Sequence, residues 1–388
     1  MSREDRSLVI ENASVVTPSG VLDGASIKVA DGVIVEVGTS RLNGCSRRLD
    51  AGGLRILPGF IDLHSDAIEK EVEPRTSAFF PVNMAVFELD KKLAACAITT
   101  IYHSLSFDPL KDGVRESEVA CGIIREVNRL APVLGVRTRV HARFEISNVA
   151  AVPFVEQLIE GGFVQLFSIT DHTPGQGQYR DLAAYRRKSS HVRSLDDAAA
   201  AEVIDRKRRE AVSLEADYVG RLVGRCRSLG IPVASHDDTE DKMDAVEAMG
   251  ITITEFPIDM ATAALAAGRG MYILFGAPNV VRGGSTGNNL NAREAISAGA
   301  GDILCSDYLP SAMVHAVFAL EQAGILPLHR AVNMASLNPA RAVGIDGFTG
   351  SIEVGKSADL VLVDASGEVP KVLKTFVEGR EVYSTELP

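Results

Sequence analysis

Paired cysteines are missing from this chain. Cys45, Cys96, Cys121, Cys226 and Cys305 are odd in number, widely scattered and form no CxxC pair. That excludes a disulfide framework and a zinc knuckle, and it predicts a reducing, cytoplasmic setting. Long apolar runs are missing too: nothing approaches the roughly 18 uninterrupted apolar residues of a membrane span. The charged start, Met1-Ser2-Arg3-Glu4-Asp5-Arg6, leads into no apolar signal core. Positive charge is in deficit, with 40 Lys+Arg against 51 Asp+Glu and a net charge of −11. This argues against broad binding to nucleic acid or to anionic membrane, while leaving room for a local basic pocket. What is present is ordinary for a soluble chain with a large core: 46% hydrophobic and 23% charged residues over 388 positions. That length predicts one large domain with a smaller companion.

Short β-type runs occupy both ends: Leu8–Ile10, Ser26–Val29 and Val33–Val37 at the start, Leu360–Val363, Val372–Val377 and Glu381–Tyr383 at the finish. Neither set alone buries a sheet, so residues 1–57 and 345–388 are expected to join in one small β-sandwich. Between them, apolar runs recur and usually end in a polar residue: Ile56–His64, Ile98–His103, Thr138–Glu145, Phe163–His172, Ile231–His236, Ile251–Glu255, Met271–Pro278 and Ile303–Asp307. Helical patterns such as Val119–Leu130, Asp241–Ala248, Ala292–Ala298 and Leu328–Ala342 fall between them. This α/β alternation predicts a (β/α)8 TIM-like barrel over residues 58–344. An open doubly wound sheet is the alternative, but its usual glycine-rich dinucleotide turn is absent. The excursion Pro174–Arg209, with Arg186, Arg187, Lys188 and the run Arg206–Arg209, reads as a solvated insertion or as an anion-attracting lid.

In such a barrel the chemistry sits at the C-terminal ends of the strands. His64 and Asp66 are spaced i, i+2, which on a strand turns both to one face where they could hold a cation. His172 and His236 each close an apolar run. Asp307 follows another, where an N-cap role is the bland alternative. The run Thr138–Ile146 is more specific: Val140, Ala142, Phe144 and Ile146 alternate outward, leaving Arg139, His141, Arg143 and Glu145 on the barrel face. Buried charges need partners, either each other or a metal and an anionic ligand. Glu145 is the choice for a carboxylate bridging two metals. Gly350–Ser357 matches the phosphate-loop pattern GxxxxGK[ST], but strand-like Ala358–Val363 follows where that motif needs a helix, so the ATPase reading is rejected.

Taken together these residues resemble the amidohydrolase superfamily along the whole chain. Pro58–Asp66 is similar to its first-strand metal motif, and Asn338-Pro339-Ala340-Arg341 with Gly350–Asp364 to its C-terminal signature. The resemblance is closer to the diphosphatases of phosphonate metabolism. It is carried by Asp62–Asp66, Glu73-Pro74-Arg75, Asp171–Gln176, Ser235–Asp238, Gly276–Ser285 and Ser306-Asp307-Tyr308. Two departures stand out: Thr286-Gly287-Asn288 where a histidine is usual, and Tyr102-His103-Ser104-Leu105 where an Asp-Ala-Leu type is more common.

The resemblance implies a metal-dependent hydrolase that cleaves ribose 1-methylphosphonate 5-triphosphate to the 5-phosphate and pyrophosphate. One divalent cation would use His64, Asp66 and Asp307, the other His172 and His236, with Glu145 as the bridge. Two zinc ions suit these donors, and manganese or iron fits them as well. Asp307 would take the proton from water. Lys70, Arg75, His141, Arg143 and Arg282 would contact the anionic phosphorylated substrate, with Gly283, Gly284 and Ser285 adding backbone N–H groups. Hydrolysis of a cyclic amide and a catalytically silent binding relative are the competing readings. No nucleic-acid or membrane partner is expected, and self-association is left open.

Overall fold

The computed structural model describes residues 7–40, 42, 45, 47–108, 113–174, 202, 204–205, 213–214, 216–285 and 289–386. The chain opens with five strands: β1 (Leu8–Thr17), β2 (Gly20–Ala30), β3 (Val33–Gly38), β4 (Arg47–Asp50) and β5 (Arg55–Pro58). Gly59 then hands it to a second sheet. There follow β6 (Phe60–Ser65), β7 (Ile98–Phe107), β8 (Arg137–Glu145), β9 (Leu166–Thr170), β10 (Val233–His236), β11 (Ile253–Glu255), β12 (Tyr272–Gly276) and β13 (Ile303–Cys305). Every neighbouring pair in this set is parallel, in sequence order. A parallel bridge between Ser65 and Asp307 joins the last strand's end back to the first. Each of the eight expected runs contains a strand of this barrel, and the first is split at Gly59, with Ile56–Pro58 in the other sheet.

The pleat sorts the side chains as the alternation predicts. Val140, Ala142, Phe144 and Ile146 pack outward in the large core shared with the helices. Ile61, Leu63, Tyr102, Leu166, Ala234, Ile253, Leu274 and Ile303 fill the barrel interior. His103 lies on the strand face shared with Ile101 and Leu105, toward the helices. The histidine that departs from the family pattern is therefore a core residue, turned away from the mouth.

The last three strands, β14 (Leu360–Asp364), β15 (Lys371–Val377) and β16 (Arg380–Ser384), return to the first sheet, where β14 pairs with β5. Strands from both chain ends thus form one hydrogen-bonded sheet over a core of Ile10, Val15, Ile27, Ile56, Leu360 and Phe376. The phosphate-loop lookalike is part of this seam. Ser357 bridges Val33, and the buried Asp359 carboxylate accepts from Thr349, Ser357, the Glu378 N–H and Arg137. The expected helix Leu328–Ala342 is two helices, Leu328–Ala335 and Leu337–Ala342. Pro339 supplies no N–H for a continuous helix, and the Ser336 hydroxyl donates back to Val332 O at 2.8 Å. The insertion Pro174–Arg209 lies almost entirely outside the described residues, as do Thr286–Asn288.

Candidate active site and metal centre

At the barrel mouth the chain turns sharply. Asp237, Phe256 and Asp307 follow β10, β11 and β13, and each takes a left-handed backbone near φ +55°. Such a conformation costs a non-glycine residue about 1–2 kcal/mol, and its concentration at one end of the barrel marks a site that needs it.

Two groups of metal-type donors lie side by side there. The first comprises His64, His141 and Glu255, all buried. His64 Nδ1 is 3.0 Å and His141 Nδ1 3.9 Å from Glu255 Oε1. His141 Nδ1 is also 3.0 Å from Leu63 O, a pure acceptor, so the proton is assigned to Nδ1 and Nε2 is bare. His141 Nε2 and Glu255 Oε2 are both buried without a partner. Two orphaned acceptors in one buried group are what a bound cation would satisfy, so these residues fit a metal. Burial pushes His141 down to about 3 and holds His64 below its usual range, which keeps both imidazoles in the neutral, ligating form.

The second group is His172, His236 and Asp237. Asp237 Oδ2 stands 3.3 Å from His172 Nε2 and 2.9 Å from His236 Nδ1. The rings of His64 and His236 are 5.4 Å apart, and Phe256 packs edge-on against both at 5.1 Å, so the two groups share one wall. Glu145 stands behind this group. Its Oε2 is 2.8 Å from His172 Nδ1, and it also accepts from the His172 N–H and Thr170 Oγ1. A carboxylate in that place orients the imidazole and raises its basicity.

Asp66 belongs to neither group. Its Oδ1 accepts from Arg143 Nη1 at 2.8 Å and its Oδ2 from Arg115 Nη2 at 3.2 Å. Arg143 donates through Nη2 to His236 Nε2 at 3.1 Å, and its Nε is buried without a partner. Arg115 is fixed by the buried Glu69 at 2.7 Å. Asp307 borders the same space. Burial first, then the charges of Asp66 and Asp62, against Arg143, push its carboxyl up to about 7.

The outer residues expected to grip phosphate behave differently. Lys70, Arg75 and Arg282 are exposed and form no ion pair among the described residues. At Gly283 and Gly284, where a backbone cradle is expected, the N–H groups have acceptors within the chain. Both N–H groups donate to Asn279 O, at 3.0 and 3.3 Å, because left-handed Gly283 caps the helix Ala277–Arg282. Ser285 follows, half-buried. Sequence reasoning missed Glu255, Asp237 and Arg115. The first two end or follow barrel strands, the signal that singled out His172 and His236. Arg115 sits in a short turn, Gly113–Arg115, with no motif to mark it.

Comparison with known proteins gives consistent relatives. The model of the Amidohydrolase family matches residues 185–382. Over 382 residues the chain is 31% identical to the alpha-D-ribose 1-methylphosphonate 5-triphosphate diphosphatase of Escherichia coli (strain K12), covering 97% of this chain and 100% of that protein. A dihydroorotase of Elusimicrobium minutum (strain Pei191) is 28% identical over 144 residues, 37% of this chain and 32% of its own. Among solved structures, the beta-aspartyl dipeptidase of Fervidobacterium islandicum AW-1 shares the fold with a TM-score of 0.65, at 17% identity and 99% coverage of both chains. The dihydropyrimidinase of Brevibacillus agri NCHU1002 does so at 0.62, with 13% identity and 97% and 95% coverage.

Proposed function

The chain belongs to the amidohydrolase family, and from that premise we propose that it hydrolyses ribose 1-methylphosphonate 5-triphosphate, releasing pyrophosphate and leaving the 5-phosphate on the sugar. The observation that carries this reading is the pair of guanidiniums, Arg143 and Arg115, converging on Asp66 beside the two histidine groups. A polyphosphate calls for such fixed guanidinium donors at the mouth, whereas a small neutral ring does not. End-to-end similarity to a diphosphatase supports the same substrate class.

In this reading His64, His141 and Glu255 hold one divalent cation, and His172, His236 and Asp237 hold the second. Bound there, the cations supply Lewis acidity toward a phosphoryl oxygen and make water a better nucleophile. Zinc suits this mixture of imidazole and carboxylate. Glu145 keeps His172 in register. Asp66 holds Arg143 and Arg115 in fixed directions, and the unpartnered Arg143 Nε–H is left to face an anionic oxygen. The Asp307 carboxylate makes no hydrogen bond among the described residues, which leaves it to accept the proton of the attacking water. Phe256 packs edge-on against the His64 and His236 rings and fixes their orientation. The developing negative charge then falls beside fixed guanidiniums, which need no rearrangement as the bond breaks.

The test is a substrate comparison on metal-replete protein: ribose 1-methylphosphonate 5-triphosphate, a nucleoside triphosphate, and dihydroorotate as the cyclic amide. The proposal expects turnover of the first with release of pyrophosphate. Turnover of dihydroorotate alone would replace it with the C–N hydrolase reading, and turnover of none would favour a silent relative.

A further inference from the structure

The opposite end of the barrel holds a cavity with a volume of about 370 Å³. Its wall includes Gly162, Val164 and Gln165 just before β9, and Leu229 to Pro232 just before β10. It therefore opens at the N-terminal ends of the strands. Arg139 lies two residues before His141 on β8, about 7 Å along the strand, on the side toward the strand's start.

One residue makes this cavity more than a packing gap. Of the three arginines on β8, Arg137 is ion-paired to Asp359 and Glu378, and Arg143 to Asp66. Arg139, which lines the cavity, has no ion pair or hydrogen bond among the described residues. Its Nε is buried without a partner, and its guanidinium sits over the Tyr102 ring at 5.8 Å. The carboxylate on the same wall, Glu160, is matched by Arg225 at 3.5 Å. A half-buried cation with an unfilled donor is costly unless an anion answers it. Ile159, Val164, Ile231 and Val343 add apolar faces, and Gln165 a polar one. The volume falls within the range of small-molecule sites, and the unfilled Arg139 donor gives it a point that can orient an anionic ligand.

We propose that this cavity binds a small organic anion, a carboxylate or phosphate ester, with Arg139 as its anchor. The site opens at the barrel end opposite the hydrolytic mouth and does not depend on the substrate assigned there.

The test is calorimetric titration of the full-length, metal-replete protein with benzoate and with phenyl phosphate, using benzyl alcohol as the neutral counterpart. Saturable binding of at least one anion is expected, and which one binds identifies the anionic group. Arg139→Met should weaken that binding at least tenfold, whereas Arg143→Met at the mouth should leave it within twofold. Leu229→Trp, which fills the cavity from an exposed wall position without altering the cation, should abolish it and decides the matter if Arg139→Met does not fold. The proposal is overturned if neither anion binds, if benzyl alcohol binds equally well, or if binding follows Arg143 and ignores Arg139 and Leu229.

Discussion

Glu255 shows what a single residue reveals here. It ends an apolar run as His236 does, and it is fully buried within reach of two imidazoles. The sequence exposed the strand and its polar terminus, but not that the sixth strand faces the first across the barrel. That adjacency is a property of closure, which makes distant residues neighbours. Glu255→Ala should therefore lower metal content by about one ion per chain, read by elemental analysis, because a three-donor group loses its only carboxylate. Full occupancy would remove Glu255 from the site. Arg143→Met and Arg115→Met should each raise KM for the triphosphate about tenfold at unchanged metal content, since a charge-assisted contact contributes about 1.5–3 kcal/mol. Unchanged constants in both would make the pair structural. His103 carries a prediction of another kind. Burial lowers it to about 4, so between pH 6.5 and 4 the unfolded chain takes up a proton that the folded chain refuses. Stability is thus lost as pH falls through that window, by about 3 kcal/mol. His103→Leu should remove that share of the acid sensitivity in denaturant titrations at pH 7 and pH 4, and an unchanged pH dependence would contradict the assignment.

At the scale of elements, the barrel strands were legible because parallel strands covered on both faces read as continuous apolar runs. β8 was the most informative, since its outward Val140, Ala142 and Phe144 left His141, Arg143 and Glu145 no place but the interior. The break at Ser336 and the capping role of Gly283 were less legible, because each depends on where backbone N–H groups find acceptors. The lookalike phosphate loop is the reverse case, a matching pattern whose residues serve the seam between sheet and barrel. Asp359 is its centre, so Asp359→Ala should destabilise the protein by about 3–5 kcal/mol, the cost of leaving a largely buried arginine short of its partner. Chemical denaturation measures it, and a loss under about 1 kcal/mol would mean that the seam is held elsewhere.

For the whole molecule, the two chain ends meet in one sheet against a closed barrel, and no helix among the described residues is long and apolar enough to cross a membrane. The fold places every candidate donor at one end of eight strands, with two guanidiniums at the rim. What this arrangement is proposed to do is break one particular bond: water attacks the phosphorus next to the ribose, and pyrophosphate leaves toward the Arg143 and Arg115 guanidiniums. Hydrolysis of ribose 1-methylphosphonate 5-triphosphate in oxygen-18 water, followed by phosphorus NMR of both products, tests this most directly. Label in the sugar 5-phosphate and none in pyrophosphate is the predicted result. Label in pyrophosphate, or stepwise release of orthophosphate, would contradict it.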